Sequence, residues 1–460
     1  MKAAYEHPYA MKRHGKEAIL ARVEEELAVY EKIGATPYML LKNYLTQWER
    51  KNGVYCGPGR GSVNGSMIAY LLHITEMDSM RFDLNFFRFA NPNRISLMDI
   101  DVDYSEEDRE KVKRFLLEDH MGFDSVRSAE IITFNTIAKK GSVRDIGRGL
   151  EIPLPEVNKI CDAIGDDGSV DERVQNRYAE LFEYVDIVSG TIKSIGSHPC
   201  GILISDRDIE SEIGICTTSG SKYPVTCLNM KELDALNWIK WDVLGLDNVA
   251  LINETCKLAG IERLTPDNVD LEDMNVWRSI RDDTTAIFQF ESGMASNYLR
   301  RFMSEETLVK ARARNPNFSM IKWLSFANGL LRPASASFRD EVAEGKVYDN
   351  GLPELNDFLA QEAGHVCMQE TIMKWLVEFC GYSQAESDNV RRAIAKKKGT
   401  ETLLPEIETR FIAHTSEKYG ISKEKCAEVI KPFLQAILDA SAYAFSWNHS
   451  DAYSCIGYIC

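Results

Sequence analysis

Apolar residues recur at helical spacing from residue 15 to residue 50. Ile19, Val23, Leu27, Tyr30 and Ile33 follow one another three or four positions apart, which predicts helix with one buried stripe. The period then changes. Asn52-Gly-Val-Tyr-Cys-Gly-Pro-Gly-Arg-Gly-Ser reads as a short strand running into a glycine-rich turn at 57–61. The apolar stretch Ser66–Ile74 reads as a helix. Over 94–104, Ile100, Val102 and Tyr104 alternate with Asp99, Asp101 and Asp103, a strand pattern. Ser105 then starts a helix, with Asp108 three residues on as a weakened capping box. A mixed, partly helical stretch fills 131–200, and Lys193–Ser205 returns to β-branched strand character. Another strand is expected at 236–246. Asp247 then caps a helix with apolar positions Val249, Ile252, Cys256 and Ala259, stopped by Gly260. Helical periodicity dominates the remainder. The only linker candidates are 259–275 and 345–355, and there is no internal repeat.

Length sets the scale: 460 residues suggest two to four structural units, enough for a sizeable core. Apolar runs such as Met67–Leu72 are too short to cross a bilayer, and Met1–Pro8 carries no apolar signal region. A cytoplasmic protein without a membrane partner is expected. The 11 cysteines include no Cys-x-x-Cys pair and read as reduced, mostly packed thiols. The 8 histidines form no His-Glu-x-x-His pattern.

Charge complicates the reading. A net charge of −16 argues against a nucleic-acid binder, because phosphate contacts need Lys and Arg. A large acidic protein can nevertheless carry one basic channel. Two clusters stand out. Lys140, Arg144 and Arg148 lie at i, i+4 and i+8, one stripe on a helix with Lys139 beside it. Arg391, Arg392, Lys396, Lys397 and Lys398 form the second. Phosphate contact is the natural use of each, and a solvated basic face is the alternative.

Residues i and i+2 on a strand point the same way, so Asp99, Asp101 and Asp103 are expected on one face. Carboxylates in a row repel one another, and a bound cation removes that cost. Hard oxygen ligands on a rigid strand suit Mg²⁺, held by a few carboxylates and substrate phosphates. A solvated acidic edge strand is the alternative. A second strand places Lys240 and Asp242 on one face, with Ile239 and Trp241 on the other. One more aspartate beside the others would complete a two-metal site. The loop Gly57-Pro-Gly-Arg-Gly-Ser-Val-Asn-Gly-Ser lets backbone N–H groups approach a phosphate at a helix N-terminus. It lacks the Gly-Lys-Ser/Thr ending of a P-loop and the spacing of the dinucleotide fingerprint. Coupled to the aspartate strand, it reads as a nucleotidyl-transfer site.

These residues belong to an ordered series that resembles the alpha subunit of bacterial DNA polymerase III, a C-family polymerase. The series runs through Gly57-Pro-Gly-Arg-Gly-Ser, Phe87-Arg-Phe-Ala-Asn-Pro-Asn-Arg, Met98-Asp-Ile-Asp-Val-Asp-Tyr and Ile132-Thr-Phe-Asn-Thr-Ile-Ala-Lys-Lys. It continues through Val143-Arg-Asp-Ile-Gly-Arg, His198-Pro-Cys-Gly, Lys240-Trp-Asp-Val-Leu-Gly-Leu and Thr285-Ala-Ile-Phe-Gln-Phe-Glu-Ser. Leu331-Arg-Pro, Met368-Gln-Glu, Arg391-Arg-Ala-Ile-Ala-Lys-Lys-Lys and Tyr443-Ala-Phe-Ser-Trp-Asn-His-Ser complete it.

The resemblance implies an α+β fold: a nucleotidyltransferase-like palm, a mixed β-sheet with helices, carrying a mostly helical thumb and fingers. It divides the chain into palm (1–130 and 198–247), thumb (131–197) and incomplete fingers (248–460). It implies a DNA-directed DNA polymerase of bacterial or phage replication, adding deoxynucleoside triphosphates to primer-template DNA with two Mg²⁺ ions. By motif position Asp99, Asp101 and Asp242 correspond to the metal-binding acids, and Asp103 to a third acid not usually a ligand. Gly61 and Ser62, beside Arg60, correspond to the phosphate-contacting pair. Arg88, Lys240, Arg391 and Arg392 match basic residues near the triphosphate, and Lys140 and Arg144 fall in a primer-template region. Arg148 and Lys396–Lys398 extend these as DNA contacts.

The chain departs from the family pattern in several places. Met98 replaces the usual proline, Pro199-Cys200 interrupts the small residues after His198, and Arg332-Pro-Ala-Ser replaces Arg-Pro-Gly-Pro. Ser446-Trp447 stands where an asparagine-lysine pair is common. The family's phosphoesterase-like domain and the segments after the Tyr453 helix are not represented. The expectation is a fragment, a split gene product or a compact phage-type version. One half of a split polymerase, completed by a further chain or by replisome components, is the alternative.

Overall fold

The alternating segment at 98–104 and the run at 240–245 become neighbouring strands. The strands are β1 (Asp101–Tyr104), β2 (Arg127–Thr136), β3 (Ile192–Ser205), β4 (Ile215–Cys216), β5 (Val225–Asn229) and β6 (Lys240–Gly245). The computed structural model describes residues 6–93, 98–125, 127–165, 168–441 and 443–460. Helices supply most of the remainder, so the chain is α+β. It divides into two compact units, one of Met1–Arg114 with Asp242–Cys460 and one of Phe115–Trp241.

In the first unit β1 pairs in parallel with β6, in the register Asp101↔Asp242, Val102↔Val243, Asp103↔Leu244 and Tyr104↔Gly245. The strand is shorter than its alternation predicts. Met98, Asp99 and Ile100 are not strand, and 94–97 lie outside the described residues. The segment before the glycine loop forms no strand either: it contributes only single bridges, Cys56↔Tyr104 and Arg60↔Asp101. Ladder partners set the length of a strand, and alternation by itself supplies none.

The helices Lys16–Lys32 and Thr36–Lys51 answer the first apolar pattern. Ile19, Val23 and Tyr30 are buried as expected, but Leu27 is 39% exposed and Glu26, at 0%, takes its place in the stripe. The cause is an acceptor that the next helix needs. Glu26 receives the backbone N–H groups of Met67 and Ile68 and the Ser66 hydroxyl, so it closes the N-terminus of the helix Met67–Leu71. Glu370 similarly receives Ser446 Oγ and the Trp447 N–H at the start of the helix Trp447–Ile459.

Glu362 receives the N–H groups of Cys367 and Met368 and the Thr371 hydroxyl, before the helix Gln369–Cys380. Burial pushes its carboxyl up to about 7, against those three hydrogen bonds. A raised acid favours the folded state most when protonated. Its contribution is therefore present below about pH 4.5 and lost as pH rises through about 7. The Glu362→Gln variant should accordingly gain about 2 kcal/mol on the wild type between pH 5 and pH 8. Urea unfolding at the two pH values checks this, and a pH-independent difference would contradict it.

Among the described residues three apolar clusters stand out in this unit. One gathers Trp277, Phe302, Trp323 and Phe326. Another gathers Trp375, Phe379, Phe411 and Phe433. The third packs Val249, Ile252 and Cys256 of the helix Asp247–Ala259 against Tyr453 and Ile456. That helix ends at Gly260 in the left-handed region, as expected. Its N-cap position is Leu246 rather than Asp247, and Ala259 is exposed rather than packed. The expected linker at 259–275 is pinned down instead. Arg263 pairs with Glu76 and donates to the Cys56 carbonyl, while Asp267 accepts from Arg13 and Tyr70. The expected linker at 345–355 is also tied in, since Leu352 and Leu355 belong to the second cluster.

In the second unit β2 lies between β3, antiparallel, and β5, parallel, and β4 runs antiparallel to β5. Ala129, Ile131 and Leu203 pack with Ile209, Leu233 and Trp238. A separate small core joins Val143, Val157, Ile160, Leu181, Phe182 and Val185 from the helices Lys139–Gly149, Leu154–Asp162 and Ala179–Val188. All eleven cysteines are free thiols. Among the described residues no helix is long and apolar enough to cross a membrane.

Candidate functional site

The glycine loop owes its course to close approaches that a side chain would block. A Cβ on Gly59, at φ +143°, would fall 1.9 Å from Asn64 Oδ1. One on Gly65 would fall 2.3 Å from the Asn85 carbonyl oxygen. The C-terminal helix holds this shape. Asn448 Nδ2 donates to the carbonyls of Ser62 and Asn85, and Asn448 Oδ1 accepts from the Asn85 N–H. Asn64 Nδ2 donates to the Asn448 carbonyl.

The loop meets β1 at Gly61. A Cβ there would lie 3.3 Å from Asp101 Oδ2, so backbone stands directly against that carboxylate. Arg60 bridges to Asp101 through the main chain, and its guanidinium pairs with Asp103 at 2.9 Å. The Gly61 N–H donates to His449 Nδ1 at 3.1 Å.

The acids separate into different environments. Asp101 and Asp242 are half-buried and directly opposite each other on parallel strands. Asp99 is exposed and precedes β1. Asp103 does not share the exposure of its neighbours: it is 1% exposed and accepts from both Arg60 and the Tyr453 hydroxyl. Burial pushes its carboxyl up, and Arg60 and Tyr453 oppose the shift. Like charges directly opposite on adjacent strands repel, and a cation between them relieves this. Among the described residues no group of three His, Cys, Asp or Glu forms a ready-made metal cage. Two apposed carboxylates beside a glycine-rich loop still suit Mg²⁺, which binds through one or two carboxylates plus substrate phosphates.

A cationic group forms within the same unit. Arg88 Nε donates to Gln369 Oε1, and Gln369 Nε2 donates to the Ala444 carbonyl. Burial lowers the Arg88 pKa, and Arg391 and Arg392 press it further down while Glu370 and Asp388 oppose them. Arg88 is thus desolvated within electrostatic reach of two further guanidiniums. Asp388 organises those two, accepting from Arg391 Nη2 and Arg392 Nε at 2.7 Å each. Their helix, Gln384–Ala395, begins with a capping box from Ser383 and Glu386. Lys396, Lys397 and Lys398 follow its end and are exposed.

The remaining sequence-predicted residues lie in the Phe115–Trp241 unit. Lys140, half-buried, and Arg144 and Arg148, exposed, sit on the helix Lys139–Gly149. Arg148 pairs with Asp145 at 2.8 Å. Lys240 is half-buried on β6, alternating with buried Trp241.

Sequence reasoning missed several members of this neighbourhood. Asn448, His449 and Tyr453 reach the loop and β1 from the far end of the chain, and Gln369 reaches Arg88. All but Tyr453 lie within quoted motifs, yet nothing in the local pattern says what they touch.

Residues 2–245 match the family described as the bacterial DNA polymerase III alpha NTPase domain. Residues 315–419 match the bacterial DNA polymerase III alpha subunit finger domain. The chain is 31% identical to DNA polymerase III subunit alpha of Halalkalibacterium halodurans, over 98% of this chain and 40% of that protein. It is 30% identical to the Treponema pallidum protein of the same name, over 96% of this chain and 38% of the relative. Its identity with that of Escherichia coli K12 is 29%, over 95% of this chain and 38% of the relative. The chain therefore spans about two fifths of the length of these curated relatives.

Proposed function

Because the chain belongs to the bacterial DNA polymerase III alpha family, we propose that it carries the nucleotidyl-transfer core of a template-directed DNA polymerase. One observation supports this above the rest: Asp101 and Asp242 stand in register beside the Gly61 backbone. Two Mg²⁺ ions held there by Asp101, Asp242 and Asp99 would activate the primer 3′-hydroxyl and offset charge on the leaving pyrophosphate.

The chain's own residues supply binding and orientation. Gly61 and Ser62 present backbone N–H groups to the triphosphate, at a turn that leads into a helix N-terminus. Arg60 steadies β1 through Asp103 and adds positive potential beside the loop. Arg88, Arg391 and Arg392, with Lys240, draw the β- and γ-phosphates into line. The desolvation of Arg88 makes its attraction for phosphate stronger than it would be in water. Lys140, Arg144, Arg148, Lys396, Lys397 and Lys398 would hold primer-template phosphates, which position DNA without reading sequence. On this reading residues 1–130 and 198–247 serve as palm, 131–197 as thumb and 248–460 as fingers, in a cytoplasmic replication enzyme.

The two-fifths coverage favours a second reading, in which a further chain must complete the enzyme before it extends a primer. Primer extension with Mg²⁺, by the 460-residue chain alone and with a polypeptide supplying the remainder, separates the two. Template-dictated incorporation is the expected result. Extension in neither preparation would end both readings, and addition that ignores the template would mean a template-independent transferase. Arg392→Ala should raise the nucleotide KM about tenfold or more, with a smaller change in kcat, since it removes a charge-assisted contact worth about 1.5–3 kcal/mol. Unchanged KM values across all four deoxynucleotides would exclude Arg392 from the triphosphate site.

A further inference from the structure

The N–H of Gly61, the loop residue whose Cα stands against Asp101, is already engaged. Its acceptor is His449 Nδ1, on the C-terminal helix Trp447–Ile459. The imidazole is packed between two rings. Phe445 lies edge-on at 5.3 Å between centroids, and Tyr453 lies tilted at 4.5 Å. Each ring carries a guanidinium: Arg332 is 4.1 Å over Phe445 and Arg60 is 5.9 Å over Tyr453. Burial, then Arg60 and Arg332, push His449 down to about 4. It is neutral at physiological pH, with its proton on Nε2 and a lone pair on Nδ1 facing Gly61.

An amide N–H carries one hydrogen and makes one well-aligned bond. A phosphate oxygen at hydrogen-bond distance from Gly61, in line with that N–H, would occupy the position that Nδ1 now holds. Resting on the nucleotidyl-transfer reading, we propose that His449 is a latch: it holds the Gly61 amide while the site is empty and surrenders it to the incoming triphosphate. The exchange is favourable, because a charged phosphate oxygen accepts more strongly than a neutral imidazole. Weak anions gain less from displacing the ring, so the latch raises the threshold for occupancy. The same helix holds Ser62 through Asn448 and Asp103 through Tyr453. Release of His449 therefore reports triphosphate arrival to the helix that shapes the loop and steadies β1. His449 is a positioning residue in this account, acting through Gly61.

The opposite sign of its effect separates a latch from a structural prop. The full chain is titrated with inorganic tripolyphosphate by calorimetry, with Mg²⁺ and without DNA. His449→Ala should bind about threefold to tenfold more tightly than the wild type, since a competing hydrogen bond is gone. Equal or weaker binding by a folded His449→Ala chain overturns the latch. A wild-type measurement guards against a variant that fails to fold. With ¹⁵N-glycine and ring-¹⁵N-histidine labels, the Gly61 amide and His449 signals should shift together, at one midpoint, as tripolyphosphate is added. A Gly61 shift without a His449 shift overturns the proposal. Arg392→Ala in the same titration keeps the two ideas apart. If it weakens binding while His449→Ala does not tighten it, the latch alone fails. If tripolyphosphate does not bind the wild type, the reading of the site fails with it.

Discussion

Asp242→Asn should lower Mg²⁺-dependent primer extension about 10³-fold or more while the chain stays folded, and Asp101→Asn should do the same. Asparagine matches aspartate in size but cannot supply the charge a magnesium ion needs. Metal stabilisation of the transferring phosphoryl group is worth several kcal/mol, and each 1.4 kcal/mol is about tenfold in rate. The two acids are directly opposite in the β1–β6 pair, so each should matter equally. Asp103, two positions from Asp101, should behave differently. It is buried and accepts from Arg60 and Tyr453, so Asp103→Asn removes the charge that balances a guanidinium. The expected cost is stability, about 2–3 kcal/mol, with activity falling through the displaced loop. Circular dichroism and denaturant unfolding beside primer extension separate the two classes. A tenth or more of wild-type extension by Asp242→Asn would exclude Asp242 as a metal ligand.

Glu26→Ala should be the most damaging single change outside the site, costing about 3–5 kcal/mol. Glu26 is fully buried and accepts from Arg22 Nε at 2.7 Å, Ser66 Oγ at 2.7 Å, and the N–H groups of Met67 at 2.7 Å and Ile68 at 3.0 Å. Truncation leaves three buried donors without an acceptor and opens a void. The helix Met67–Leu71, which follows the Gly61–Gly65 turn, loses the acceptor of its first two N–H groups and keeps only its Ser66 cap. Tripolyphosphate affinity should therefore fall along with the urea midpoint. A loss of less than about 1 kcal/mol would mean that water replaces the carboxylate at this helix end.

Much of the candidate site was legible from spacing. Alternation placed Asp101 and Asp103 on a strand, and the position of Lys240 and Asp242 in the chain announced another. The glycine pattern marked a tight turn before a helix, which the Gly61–Gly65 turn and the helix Met67–Leu71 reproduce. Burial was harder. Leu27 satisfied the helical stripe and Glu26 interrupted it, yet the carboxylate is inside and the leucine is not. Periodicity measures average polarity, whereas Glu26 answers a particular set of donors that only another helix brings. The linker at 259–275 failed for the same reason: Arg263 and Asp267 look like loop residues until Glu76, Arg13 and Tyr70 arrive.

By itself the sequence determined the order of the motifs, and through their resemblance to a known family it determined the family and the α+β class, because ordered local motifs can be read without their partners. The resemblance grouped Asp99, Asp101 and Asp242, but only the tertiary structure supplied the register and the burial of each carboxylate. It placed Asp242 beside Asp101, withdrew Asp103 into a pair with Arg60, and left Asp99 outside the strand. It also brought His449, Asn448 and Gln369 from distant parts of the chain to Gly61, Ser62 and Arg88. Register and long-range hydrogen bonds are properties of pairs, and no single stretch of sequence carries the identity of its partner.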